Sequence, residues 1–192
     1  MPLFLQYGFK SVTTDELSRH AGISKKTLYE LFKDKDEIVL ETIKYVLDTY
    51  QKEIDKIALS KKNAIYILIE IITLLDNLIQ GMNIVCFSDL QRYYPKAYEF
   101  LQNHKQQCVF CDIQQNLRQG IGEGLYRDNL DIDIISMFRV ETAYFVFQSS
   151  LYEQNKFNMQ KVNAEIFYHY LYGIATIKGH KLIDRYLKAK NK

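Results

Sequence analysis

The run Thr13-Thr14-Asp15-Glu16-Leu17-Ser18-Arg19-His20-Ala21-Gly22-Ile23-Ser24-Lys25-Lys26-Thr27-Leu28-Tyr29-Glu30-Leu31-Phe32 reads as two short helices joined by a tight corner. Thr13 or Thr14 carries the hydroxyl that caps a helix N-terminus, and Leu17 and Ala21 are expected to face inward. Gly22 ends that helix, since it enters the left-handed region without a Cβ clash. Ile23 plugs the corner. Ser24 caps a second helix in which Leu28, Leu31 and Phe32, spaced by three and four, form the expected buried side. Small residues at Ser18 and Ala21 allow a close crossing. The pattern is a helix-turn-helix, and in DNA-binding versions the second helix sets its N-terminal residues on base edges in the major groove.

The residues left facing outward suit a duplex. Lys25 and Lys26 lie in the first turn of the second helix and can donate to guanine O6/N7 or to phosphate. Thr27 and Tyr29 carry hydroxyls that suit phosphate oxygens, and Thr14 can add a contact at the start of the first helix. Lys35, just past the second helix, is placed to reach the opposite rim of the groove. The plainer alternative is a corner used only for packing, with Lys25 and Lys26 as a solvated helix end.

Around this corner the chain is helical in character. Among 192 residues there are two prolines and eight glycines, too few breakers for many short strands. Hydrophobic residues make up 47% and charged ones 25%, which excludes a disordered chain. Asp34 to Glu37 open a long helix, an apolar helix is expected from Ala64 to Gln80, and another from Pro95 to about Gln119. Gly120, Gly122 and Gly124 follow a helix, so they read as its termination rather than as a phosphate loop. Asp131 caps a helix from Ile132 to about Tyr152, and Asn158 starts a last long one toward Leu187. The expected fold is all-α, in about nine helices. A helix-turn-helix domain spans residues 1–46, and a larger bundle spans 47–192.

Charge and location are read from the same residues. The net charge is +2, but Lys178 to Lys192 hold six cations against Asp184, so residues 1–177 are net negative. Total charge therefore carries no case for nucleic-acid binding, and a local patch must. Three cysteines are too few for a disulfide framework and fit a reducing compartment. Met1 to Gly8 hold no leader, and Ala64 to Ile79, interrupted by Glu70, Asp76 and Asn77, falls short of the roughly 18 clean residues of a membrane span. A cytoplasmic protein is expected, with no membrane partner.

The ordered set Tyr7-Gly8-Phe9, Thr13-Thr14, Ala21-Gly22-Ile23-Ser24-Lys25, Leu28-Tyr29, Phe32 and Lys35 resembles the DNA-binding region of the tetracycline-repressor (TetR) family of transcriptional regulators. The match spans about Phe4 to Ile38, and Gly120 to Arg127 resembles the family less specifically. The resemblance implies a homodimeric all-α repressor binding a palindromic operator and released by a small molecule. It implies DNA contacts at Thr14, Ser24, Lys25, Lys26, Thr27, Tyr29 and Lys35, and dimerisation through the last two long helices. Two departures stand out. Only Met1 to Tyr7 precede Gly8, so the first helix is short and lacks the basic arm that often precedes it. Lys26 stands where glycine is frequent, and Leu31 where a polar aromatic or histidine is.

The eleven Phe and fifteen Tyr gather in the later helices, which suits a small apolar or aromatic effector among Tyr93, Phe110, Tyr144 and Phe147. Ile132–Leu151 and Asn163–Ile183 are the expected dimer surface. Neither a His-Glu-x-x-His helix, a nucleophile elbow nor a Walker loop occurs, so no enzyme and no cofactor are expected. His104, Cys108 and Cys111 would share one face of an α-helix. Packing is the expected use, and a metal- or thiol-sensing regulator is the alternative. A helical ligand-binding protein with impaired DNA binding is the other.

Overall fold

A computed structural model describes residues 2–80, 82–83, 85–148 and 157–190. The fold is all-α: among the described residues there is no strand, only an isolated bridge between Tyr126 and Ala175. In order the α-helices are α1 (Pro2–Tyr7), α2 (Thr14–Ala21), α3 (Lys25–Leu31), α4 (Lys35–Ala58), α5 (Ala64–Gln80) and α6 (Val85–Tyr93). They continue with α7 (Pro95–His104), α8 (Phe110–Gly122), α9 (Ile132–Gln148), α10 (Met159–Ile174) and α11 (Ile177–Lys190).

Among the described residues there are eleven α-helical segments where about nine are expected, for two local reasons. The helix from Pro95 is interrupted at Lys105–Val109, which winds as a π-helix between α7 and α8. The last long helix breaks at Ala175 and Thr176. There the backbone N–H of Thr176 donates to the Leu125 carbonyl at 2.9 Å and that of Arg127 to the Ile174 carbonyl at 2.9 Å. The Thr176 hydroxyl then accepts from the Gly179 N–H at 3.1 Å, restarting the chain as α11. Residues 149–156, the expected end of α9, lie outside the described residues.

The chain divides into two compact units, Met1–Lys52 with Leu78–His104, and Glu53–Asn77 with Lys105–Lys192. Packing thus groups α6 and α7 with the N-terminal helices, which the linear division at residue 46 does not. The reason lies in Phe4 and Phe9, each 1% exposed, with ring centroids 5.0 Å apart and planes tilted by 33°. The Tyr94 hydroxyl donates to the Phe9 carbonyl, and the Cys86 thiol to the Phe4 carbonyl. Gly8 is required here: its φ is +89°, and an added Cβ would stand 2.8 Å from Val85.

In the second unit the first half of α5 is buried nearly all round, from Ala64 to Ile72, as its sequence implies. It packs with Leu117, Leu125, Tyr126, Phe167, Leu171 and Ile183. α8 ends at Gly122 and Gly124 turns left-handed at φ +66°, so the glycine triplet does terminate a helix. Gly120 has a separate role. The Tyr126 ring lies flat against it, and an added Cβ would meet that ring at 2.0 Å. Asn116 Oδ1 accepts from the Tyr126 hydroxyl, and its amide donates to the Ala64 carbonyl.

Candidate nucleic-acid interface

The corner forms as the sequence reads. Thr13 is the N-cap of α2: its Oγ1 accepts from the Glu16 N–H, and Glu16 Oε2 accepts from the Thr13 N–H at 2.7 Å, a reciprocal capping box. The Thr13 N–H and the Thr13 hydroxyl, both donating to Glu16 Oε2, hold its carboxyl below the usual carboxylate range. Gly22 closes α2 at φ +68°, and the Ile23 N–H donates back to the Ser18 carbonyl. Ser24 caps α3, accepting from the Thr27 N–H at 3.0 Å. Ser18 is buried at the crossing, as its size allows, and Leu28 is the buried anchor of α3.

Two inward assignments are corrected. Leu31 is 65% exposed, and Ala21 is exposed. In a helix of seven residues Leu28 and the following Phe32 already fill the buried side, and Leu31, three positions after Leu28 and next to Phe32, turns away.

The seven expected DNA contacts fall into three groups. Ser24 and Thr27 pair their hydroxyls at 2.9 Å, serving the cap. Thr14 and Tyr29 join their hydroxyls at 3.2 Å, and Lys25 sets Nζ 2.9 Å from Oδ1 of Asp15, so two cross-links tie the start of α3 to the start of α2. Lys25 and Asp15 remain about half exposed, and Asp15 raises the Lys25 ammonium above the ordinary lysine range. Lys26 is exposed on the same first turn. Lys35 is turned back into the unit: its Nζ donates to the Lys10 carbonyl at 3.0 Å and lies over the Tyr94 ring, and burial lowers its pKa against the pull of Asp89 and Asp36.

The spacing within the corner gives no sign of Asp15 as partner of Lys25, because the pairing follows from the crossing of the helices. Lys10 was likewise unread. Its backbone N–H donates to Asp89 and its ammonium to the Tyr93 hydroxyl at 2.8 Å.

The expected effector residues belong to both units. Tyr93 belongs to the first unit, 41% exposed and held by Lys10, which lowers its pKa. Phe110 and Tyr144 belong to the second unit and are half-buried, burial pushing the Tyr144 hydroxyl up to about 12. The side chain of Phe147 lies outside the described residues. The metal alternative finds no support: among the described residues no group of three or more His, Cys, Asp or Glu is arranged to hold an ion. Cys108 sits in the π-helical stretch, which breaks the α-helical spacing assumed for the trio, and burial with Asp112 raises its thiol. No helix of the described residues is long and apolar enough to cross a membrane.

Comparison with known proteins agrees with the resemblance in the N-terminal region. Residues 1–42 match the family described as "Bacterial regulatory proteins, tetR family". HTH-type transcriptional regulator HbdR of Aromatoleum sp. (strain CIB) is 41% identical over 54 residues, which are 28% of this chain and 24% of that protein. The chain thus matches about a quarter of that relative's length. HTH-type transcriptional repressor KstR2 of Mycolicibacterium smegmatis is 23% identical over 150 residues, 74% of this chain and 71% of that one. The crystal structure of the regulator FadR from Bacillus subtilis in complex with stearoyl-CoA superposes with a TM-score of 0.67 at 16% identity, covering 90% of this chain and 94% of that one. At that identity the likeness concerns the fold.

Proposed function

We propose that this chain, whose first 42 residues match the tetR family, is a ligand-responsive transcriptional repressor that binds a palindromic operator as a homodimer. The observation that carries the reading is the first turn of α3. Its orientation is set by the Ser24 cap and by the Thr14–Tyr29 and Lys25–Asp15 cross-links, with Lys26 and the half-exposed Lys25 at its surface. A helix fixed in this way can present cations and hydroxyls to a groove with little ordering cost on binding. Residues 1–46 are the DNA-binding domain and residues 47–192 the effector and dimerisation domain. Acting on DNA, the protein works in the cytoplasm.

Dimerisation is supported by α9, where Ile134, Met137, Phe138 and Phe145 are 65%, 50%, 50% and 39% exposed. Their spacing of three, four and seven places them along one stripe, an apolar surface that a second copy would cover. α4 supplies residues to both units and is the element through which an effector acts. The effector is a small apolar or aromatic molecule that binds the DNA-released state more tightly, since equal affinity shifts nothing.

In-vitro selection of bound DNA tests the reading. The wild-type chain is expected to enrich a near palindrome with half-sites about one helical turn, roughly 34 Å, apart. The Lys25→Ala/Tyr29→Phe double variant is expected to enrich none. Enrichment of the same sequence by both would end the assignment of α3 as the reading helix.

A further inference from the structure

Among the described residues the second unit buries two cations, Lys105 and Arg139, and their surroundings differ. Lys105, 5% exposed, sets Nζ 2.8 Å from Oε1 of the Glu141 carboxylate and lies over the Tyr144 ring. Arg139, also 5% exposed, has a buried Nη1 with no hydrogen-bond partner among the described residues. Its guanidinium instead lies over Phe167 and Tyr170, 5.4 and 5.6 Å from the ring centroids. Asp76, whose Oδ1 accepts from the Asn163 amide at 2.8 Å, acts on it as a nearby charge. One turn earlier on α9, Ser136 is 0% exposed, and its Oγ also has no partner among the described residues.

Positions i and i+3 share a helix face, so the two unmet groups are neighbours. Arginine stays protonated in proteins, and its planar fork matches a carboxylate. A buried guanidinium and a buried hydroxyl that are short of partners are both unfavourable, and folded interiors rarely keep them side by side. The Phe167 and Tyr170 rings beside the guanidinium help to fix its position and offer an apolar surface.

We propose that Arg139 and Ser136 receive the carboxylate head of the effector, which is thus an acid on an apolar body rather than a neutral apolar molecule. This rests on the reading of the chain as an effector-responsive regulator. The guanidinium donates to the carboxylate and the Ser136 hydroxyl donates to it from one turn away, so that Nη1 and Oγ gain on binding the hydrogen-bond partner they lack among the described residues.

The test pairs acids with the alcohols of the same body: dodecanoate with 1-dodecanol, and 2-naphthoate with 2-naphthalenemethanol. Each is titrated into the full chain, following the melting temperature and release of the selected operator DNA. At least one acid is expected to bind tenfold or more tightly than its alcohol. Arg139→Met should erase that preference while the unliganded variant melts at or above the wild-type temperature, because a buried charge whose Nη1 has no hydrogen-bond partner among the described residues has been removed. Ser136→Ala should weaken the acid several-fold, and it decides alone if Arg139→Met does not fold. Equal binding of acid and alcohol, no acid binding, an unliganded Arg139→Met that melts lower, or unchanged affinity in Ser136→Ala would each overturn the proposal. Operator binding is measured on the same samples without ligand. Its absence in the wild type defeats the regulator, whereas its presence beside equal acid and alcohol binding defeats only the anion site.

Discussion

The corner from Thr13 to Phe32 satisfies its polar groups from within itself. Thr13 is answered by Glu16, Ser24 by Thr27, Lys25 by Asp15 and Tyr29 by Thr14, none more than 15 positions apart. The interior around α9 draws on distant chain: Lys105 meets Glu141 across 36 positions and Asn163 meets Asp76 across 87. There Arg139 and Ser136 are left with unmet atoms among the described residues. A reading surface works best when it is finished before its target arrives, because every group already ordered lowers the entropy lost on binding. A receiving site works in the opposite way and keeps polar capacity for the guest.

The strongest blow to this contrast is Gly120→Ala. Its Cβ would overlap the Tyr126 ring, and overpacking of this kind is expected to destabilise the second unit by about 3 kcal/mol. Amide hydrogen exchange should show protection lost around Ala64–Ile72 and Phe167–Ile183 while the corner keeps its own. Equal loss in Thr13–Phe32 would mean that the two regions do not stand separately.

The contrast also explains what could be read from the chain. The corner was legible because each of its devices is local: a capping hydroxyl, a glycine at φ +68°, and apolar positions three and four apart. Leu31 was misplaced because a seven-residue helix has room for few inward side chains, and periodicity alone does not say which. The π-helical turn at Lys105–Val109 had no sequence signal, and the break at Ala175–Thr176 had only the Thr176 cap and the nearby glycines as a signal, since its pairing is with remote backbone. Arg139 passed unnoticed for the same reason: a lone arginine in an apolar helix reads as surface until its neighbours Phe167 and Tyr170 are known.

A smaller effect sharpens the local half of the comparison. Thr13→Ala removes the cap of α2 and is expected to cost about 1 kcal/mol, read as a shifted urea midpoint without a change in the interior's exchange rates. The cap should also respond to acid. Because the Glu16 carboxyl is held low in the folded chain, its contribution is present above about 4.5 and fades as pH falls through the lowered value. A wild-type acid profile identical to that of Thr13→Ala would show that the capping box adds nothing.

The smallest expected effect lies at high pH. Burial pushes the Cys86 thiol from an ordinary 9.0 up to about 11, with the Asp89 charge in support. The folded state therefore holds the neutral thiol, and its contribution is complete below pH 9.0 and lost as pH rises through about 11. Denaturant midpoints measured across that window should fall more steeply for the wild type than for Cys86→Ala, and parallel curves would remove Cys86 from the alkaline response.

The carboxylate of Asp15, tethered beside Lys25, makes an internal competitor for any phosphate that approaches α3. A duplex must displace an anion that is always present at high local concentration, so random stretches of backbone gain little from this lysine. A site whose base edges also engage the helix can complete the exchange. If α3 reads DNA as proposed, the corner would discriminate against random duplex by the same contact that holds it together.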